Sequence, residues 1–286
     1  MKLDKAMNNL RRRILIVGSG HGFQSAKVSM EQSKLVCDFI DESLFTKSEV
    51  FKKIDEWIVR KDDIIISSSF REKIPKNFLV RATFLNIHYA LFPKYRGMHS
   101  IVWAILNGEK HIGITVHYMS DLFDQGNIIY QKKIKIRNRN SYELMKYCDE
   151  FIERNLAFIV KRYLFGLIIE RKQDDRKAIY VGKRNIDDCE IKWSLLTCKD
   201  FYLMSKALVA PYPVPFFYRR GEKIEVLKSR CRIQNYKEIP GRIVNINHES
   251  VWVKLVDGVL ELEEIIVNGN KIRATDFFKI VGERIK

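Results

Sequence analysis

The sequence predicts an α/β chain in which a doubly wound parallel sheet precedes a smaller all-β domain. Three observations predict it. Short, β-rich apolar runs alternate with helix-length segments through the first half, the pattern of parallel strands joined by crossover helices. One long apolar stripe at steps of three and four follows, over residues 141–168. Beyond the proline-rich run at 211–215 the texture changes to short strands separated by turn residues such as Asp257-Gly258 and Asn268-Gly269.

Residues 13–18 (RILIVG) form a short apolar run ending in glycine, which reads as a buried first strand. A helical stretch leads to a second strand at 35–40. Residues 47–59 then carry Val50, Phe51, Ile54, Trp57 and Ile58 at helical spacing. Strands follow at 63–67 and 83–88, completing a Rossmann-like sheet. Ligands of such sheets lie beyond the carboxyl ends of the strands, where Asn86 and His88 close the fourth. Residues 112–119 and 127–136 read as two further strands around a loop at 120–126.

Residues 141–168 read as one helix. Ser141 is its N-cap, and Met145, Cys148, Ile152, Leu156, Ile159 and Tyr163 form a core-facing stripe. A charged hinge at 171–177 and an irregular stretch at 183–190 separate this half from strands at 223–227, 241–245, 251–256 and 259–266. Several short strands in some 80 residues suggest a small OB-like barrel. The expected domains are 1–182, catalytic, and 183–286, linker and OB-like. No internal repeat is present.

The 286 residues and 46% apolar content suit a folded protein with one full core and a smaller module. Lysine and arginine outnumber aspartate and glutamate by 51 to 35. The excess is spread along the chain, as suits an anionic partner without choosing among nucleotide, folate, nucleic acid or acidic membrane. Five cysteines without close pairing point to a reduced, cytoplasmic compartment and away from zinc. The amino-terminal MKLDKAMNNLRRR has charge but no leader-length apolar region or cleavage site after it, since RILIVG is only strand-length, and the most apolar stretch, 156–169, is broken by Lys161 and Arg162 and too short to span a bilayer.

Asn86 and His88 lie on one side of their strand, because side chains alternate with period two. The loop 92–97 (FPKYRG) places two cations and an aromatic between proline and glycine, a rigid turn able to grip an anion. Asp124 can reach back to the histidine from the 120–126 loop, with Asp121 its rival on spacing alone. Gly18-Ser-Gly20-His-Gly22 does not complete a dinucleotide fingerprint, and reads as a tight strand-to-helix turn near the cleft.

Taken together, Asn86-x-His88, the PKYRG loop, Asn107-Gly108-Glu109, Gly113-Ile-Thr115 and Asp124-x-Gly126 resemble the folate-dependent formyltransferases in order and spacing. Further on, Ile191-Lys-Trp193, Lys206-Ala-Leu, Pro211-Tyr-Pro213, Pro240-Gly241 and residues 260–277 resemble the C-terminal domain of methionyl-tRNA formyltransferase and of some sugar N-formyltransferases. The resemblance implies 10-formyltetrahydrofolate as formyl donor and an amine as acceptor. It implies that Asn86 donates to the oxyanion, that His88 takes the amine's proton, and that Asp124 orients and stabilises His88. The loop holding Phe70, Arg71, Glu72, Lys73 and Ile74 resembles the family's folate-contacting loop, with Asp121 beside it. Lys94, Tyr95, Arg96, Gly97 and Trp103 are the expected acceptor contacts. No metal is called for.

Two departures are present. The family's S-L-L-P-K-Y-R-G reads here with Ala90 in place of serine and Phe92 before the proline. The region between Gly18 and Asn86 is short and lacks the basic loop that resembles a tRNA clamp. With the stretch 100–109, this favours an amino-sugar nucleotide as acceptor, such as a dTDP-4-amino-4,6-dideoxyhexose made for surface polysaccharide or O-antigen, over methionyl-tRNA. A homodimer through the β-domain is consistent with the sugar enzymes. A catalytically inert binding module is disfavoured because Asn86, His88 and Asp124 are all present.

Overall fold

A computed structural model of the chain describes residues 12–234 and 236–285. Most of the amino-terminal segment read above for a leader, residues 1–11, lies outside the described residues. The chain divides into two compact units. The first comprises Met1–Ile101, Lys110–Arg137 and Glu143–Gly182; the second comprises Val102–Glu109, Asn138–Tyr142 and Lys183–Lys286. One division falls after Gly182, and two short earlier segments join the second unit.

In the first unit, β1 (Ile14–Gly18) leads through α1 (Gly20–Glu31) to β2 (Cys37–Asp41), and through α2 (Lys47–Trp57) to β3 (Ile64–Ser68). The short α3 (Lys76–Leu79) precedes β4 (Thr83–His88). Then come β5 (Arg96–Gly97), α4 (Ser100–Leu106), β6 (His111–Tyr118), β7 (Ile128–Lys135), α5 (Ser141–Leu164) and β8 (Tyr180–Val181). Helix α4 straddles the division between the units.

The sheet order is β2-β1-β3-β4-β6-β7. The first four strands are parallel, whereas β6 runs antiparallel to both β4 and β7. The sheet is therefore mixed from β6 onward, and the short β6–β7 loop, with no room for a crossover helix, requires that last pair to be antiparallel. Helix α2 starts with a capping box between Thr46 and Glu49 and buries Val50 and Ile54 against Leu15, Val17, Ile65 and Phe84. At about 25 cal/mol per Å² of apolar surface, each such side chain contributes roughly 1.5–3 kcal/mol on burial.

Parallel register sets Ser67 of β3 opposite Asn86, and antiparallel register sets His117 of β6 opposite Asn86 from the other side. His88 stands opposite Thr115. Three polar side chains, Ser67, Asn86 and His117, thus lie in one row across β3, β4 and β6.

The second unit is an antiparallel all-β sheet, β11-β12-β13-β10-β9, with β14 paired to β13. Its strands are β9 (Phe216–Arg219), β10 (Glu222–Ile233), β11 (Ile243–Ile246), β12 (Val251–Lys254), β13 (Gly258–Val267) and β14 (Asn270–Arg273). Helices α6 (Cys198–Ala207) and α7 (Ala274–Phe277) accompany it. Asn268 and Gly269 both take positive φ, 50° and 79°, between β13 and β14, the geometry of a type I′ hairpin turn. All five cysteines are free. Among the described residues no helix is long and apolar enough to cross a membrane.

Candidate active site

Asn86 is held from both sides by its strand neighbours. Ser67 Oγ donates to Asn86 Oδ1 at 2.9 Å, and Asn86 Nδ2 donates to His117 Nε2 at 3.2 Å. His117 can accept there because its own Nδ1–H donates to the Tyr118 carbonyl at 2.8 Å. These bonds assign the amide orientation and leave one Nδ2–H of Asn86 for a ligand. His117 is 1% exposed, and burial pushes its pKa down to about 4 against the opposing pull of Asp124. It stays a neutral acceptor near pH 7.

His88 is oriented by its loop. Its Nε2–H donates to the Tyr95 carbonyl at 3.2 Å, and its ring stacks on Phe92 with centroids 4.8 Å apart. That tautomer leaves Nδ1 unprotonated, and Asp124 Oδ2 lies 3.8 Å from it. The carboxylate is too far for a hydrogen bond but close enough to stabilise an imidazolium. Asp124 Oδ1 is 3.6 Å from His117 Nε2.

Asp124 is itself pinned. The Gly97 N–H donates to Asp124 Oδ2 at 2.7 Å, and Gln173 Nε2 donates to both the Asp124 and Gly126 carbonyls at 2.8 Å. Asp124 has φ 59°, in the left-handed region, and Gly97 has φ 101°. A Cβ at Gly97 would run into the Val181 carbonyl oxygen, and one at Gly126 into the Tyr118 carbonyl oxygen. Both loops therefore need glycine where the backbones meet.

A small cleft adjoins these groups, lined by Lys73, Ile74, His117, Met119, Ser120, Leu122, Phe123 and Asp124. Leu122 and Phe123 are 59% and 60% exposed, apolar surface available to a flat ring. An amide donor, a basic ring nitrogen and a carboxylate thus converge beside a cleft. Such a set can stabilise an oxyanion and take up one proton.

The expected residues fall into three groups. Asn86, His88 and Asp124 come together. Of the proposed folate loop, Lys73 and Ile74 line the cleft, while Phe70 packs on Phe51 with ring centroids 6.1 Å apart. Glu72 pairs with Lys47, Asp121 pairs with Lys76 at 2.7 Å, and Arg71 is exposed. Of the proposed acceptor contacts, Lys94 is exposed, and Tyr95 is buried and supplies its carbonyl to His88. Trp103 is grouped with the second unit.

Arg96 is corrected by the structure. It is 1% exposed, and its guanidinium donates to Gln173 at 3.1 and 2.8 Å, to the Tyr180 hydroxyl at 2.7 Å and to Asp175 at 2.7 Å. Its donors fasten the 173–180 segment to the loop instead of facing an anionic ligand. Sequence reasoning missed Ser67, His117 and Gln173. Their roles depend on strand register and on a segment some 50 residues beyond the Asp124 loop, and no local motif marks either.

Residues 8–157 match the family described as formyl transferase, and residues 185–282 match its C-terminal domain. The bifunctional polymyxin resistance protein ArnA of Wigglesworthia glossinidia brevipalpis is 33% identical over 203 residues, covering 68% of this chain but only 30% of that protein. A methionyl-tRNA formyltransferase of Syntrophomonas wolfei is 29% identical over 254 residues, 87% of this chain and 78% of that one. Among solved structures, the N-formyltransferase of Helicobacter canadensis, in complex with folinic acid and dTDP-3-aminofucose, superposes with TM-score 0.65 at 17% identity. It covers 88% of this chain and 98% of the other, a likeness of fold.

Proposed function

This chain belongs to the formyl transferase family, and we propose that it moves a formyl group from 10-formyltetrahydrofolate to the amine of a nucleotide-linked amino sugar in the cytoplasm. The observation that carries the reading is the meeting of Asn86, His88 and Asp124 around His117, with Asp124 and His117 lining the adjoining cleft. Its exposed apolar wall, Leu122 and Phe123, suits a pterin ring.

The acceptor amine attacks the formyl carbon and the carbonyl oxygen becomes an oxyanion. The Asn86 Nδ2–H left over from His117 donates to that oxygen, a bond stronger in the transition state than before it. His88 Nδ1, unprotonated because Nε2–H faces Tyr95, takes the surplus proton of the amine. Asp124, 3.8 Å away, stabilises the resulting imidazolium. Collapse of the intermediate breaks the bond to N10 of the folate, which takes the proton back from His88 as tetrahydrofolate leaves, and the formamide remains.

The sugar acceptor is supported by the short segment between β1 and β4, which has no basic loop, and by the fold of the Helicobacter enzyme. Methionyl-tRNA is the competing acceptor, supported by the identity to the Syntrophomonas enzyme over most of both chains. The test is tetrahydrofolate release with a panel of amino-sugar nucleotides and with initiator methionyl-tRNA, at 50 and 200 mM salt. A sugar nucleotide engages few cations, so kcat/KM changes by less than about tenfold across that range, whereas a protein with about 6–10 phosphate contacts on DNA loses roughly 10³–10⁵ in affinity. Turnover of tRNA alone, with a collapse of a hundredfold or more, overturns the sugar reading.

A further inference from the structure

The chain leaves β1 toward β2 and returns on the other side as β3, so a crevice opens between the carboxyl ends of β1 and β3. The turn Gly18–Gly22 and Ser68–Ser69 form its two walls. Ser68 Oγ donates to the Gly22 carbonyl at 2.8 Å, tying the walls together. A Cβ on Gly22 would lie 2.5 Å from Ser69 Oγ and 3.6 Å from the Tyr89 hydroxyl. Gly22 of α1, Ser69 after β3 and Tyr89 after β4 therefore meet at one point.

Below that point is a carboxylate. Tyr89 donates to Asp149 Oδ1 at 2.6 Å, and Asp149, on α5, is 9% exposed. Tyr89 is the only hydrogen-bond partner of that carboxylate among the described residues, so Oδ2 has none. Oδ2 is not among the buried side-chain atoms left without a partner, so it is open to solvent and free to accept from a ligand's hydroxyl groups. Ser69, at the rim, makes no hydrogen bond through its hydroxyl among the described residues, and His21, exposed, adds a ring whose charge is felt at Asp149. Tyr89 directly follows His88, one residue past the end of β4.

We infer that Asp149, positioned by Tyr89 and rimmed by Ser69 and His21, is the acceptor-reading site, binding sugar hydroxyls. The inference rests on the sugar reading above and deepens it. Vicinal hydroxyls are paired donors that match an open carboxylate oxygen, and Ser69 can answer as donor or acceptor. An apolar acceptor side chain placed here would desolvate Asp149 and return no hydrogen bond. The reactive amine itself is served by His88; an ammonium held on Asp149 would keep its proton.

The test uses the amino-sugar nucleotide that the wild-type protein formylates best. With Asp149→Asn and Tyr89→Phe, the acceptor KM rises by about tenfold or more while the KM for 10-formyltetrahydrofolate stays within about twofold, the signature of lost acceptor binding. Asp149→Asn keeps the side-chain shape and an acceptor for Tyr89, so it separates binding from folding. A purely structural role lowers the active fraction and leaves both KM values unchanged. That result, with the wild type active on the sugar nucleotide, overturns this inference alone. No wild-type turnover of any amino-sugar nucleotide overturns the sugar reading, and this inference with it.

Discussion

Asn86 and His117 stand opposite each other in the β4–β6 register, and the Asn86 amide donates to the His117 ring at 3.2 Å. The bond is directional because the other ring nitrogen of His117 is committed to the Tyr118 carbonyl. His117 thus sets where the second Asn86 N–H points, without itself holding a charge.

Replacing His117 by alanine should lower kcat by about tenfold or more, because the oxyanion donor loses its fixed direction, and an oxyanion-hole donor is typically worth 10²–10³ in kcat. His117→Gln, which keeps an acceptor, should recover part of the loss. Steady-state rates of both variants at saturating substrates check this. Equal rates in wild type and His117→Ala would show that Ser67 alone holds the amide.

The same residue makes stability depend on pH. Its pKa is lowered on folding from 6.5 to about 4. Below pH 6.5 the unfolded chain therefore takes up a proton there that the native state refuses until near pH 4. Stability is fully present above pH 6.5 and is lost as pH falls toward 4, by about 2 kcal/mol between pH 7 and pH 5 from this group. Urea unfolding midpoints at the two pH values should differ less in His117→Gln than in the wild type. Identical shifts would place the titration elsewhere.

Arg96 separates a structural cation from a binding one. Arg96→Lys cannot reproduce the fork on Gln173, Tyr180 and Asp175, and stranding the Gln173 acceptor should cost about 1–3 kcal/mol. Lys94→Ala, at an exposed position, should leave stability within about 0.5 kcal/mol. Chemical denaturation of both reads this directly. Unchanged stability in Arg96→Lys, with a raised acceptor KM, would return Arg96 to the ligand.

Much of the fold is legible in the residues. Strand β4 has the limits its apolar run predicts, and α5 starts at the predicted N-cap, Ser141, although it ends at Leu164. Residues beyond Leu164 keep the apolar stripe but lose the helix at Gly166, whose φ is 68°. The apolar pattern predicts only the first part of β10, which runs to twelve residues, since its outer half alternates cations with Ser229 and Cys231 and shows little hydrophobic signal. In the site, strand spacing brings out Asn86 and His88, and the family resemblance chooses Asp124 over Asp121. His117 is hidden in an apolar strand because side-by-side register is a tertiary property. Arg96 reads as an anion grip because its partners, Gln173 and Asp175, lie about 80 residues away.

Gly97 tests the joint between the two loops. Gly97→Ala adds a Cβ against the Val181 carbonyl at φ 101°, disturbing the N–H that holds Asp124. A fall in kcat of about a hundredfold is expected, in line with a roughly 1 Å misplacement of a catalytic group. Gly166→Ala, at φ 68° with nothing within 4 Å, is the control for left-handed strain and should leave kcat unchanged. Equal kcat in the two variants would mean that the Gly97 amide does not position Asp124.

The most direct measurement is the single-turnover rate of formyl transfer in Asp124→Asn beside Asp121→Asn. Both carboxylates sit on one loop, but only Asp124 lies within 4 Å of His88, while Asp121 pairs with Lys76. The account predicts that Asp124→Asn loses about two orders of magnitude or more, as expected for a charge that stabilises the protonated base, and that Asp121→Asn stays within about threefold of wild type. Near-native transfer by Asp124→Asn would contradict the assignment of chemistry to Asn86, His88 and Asp124.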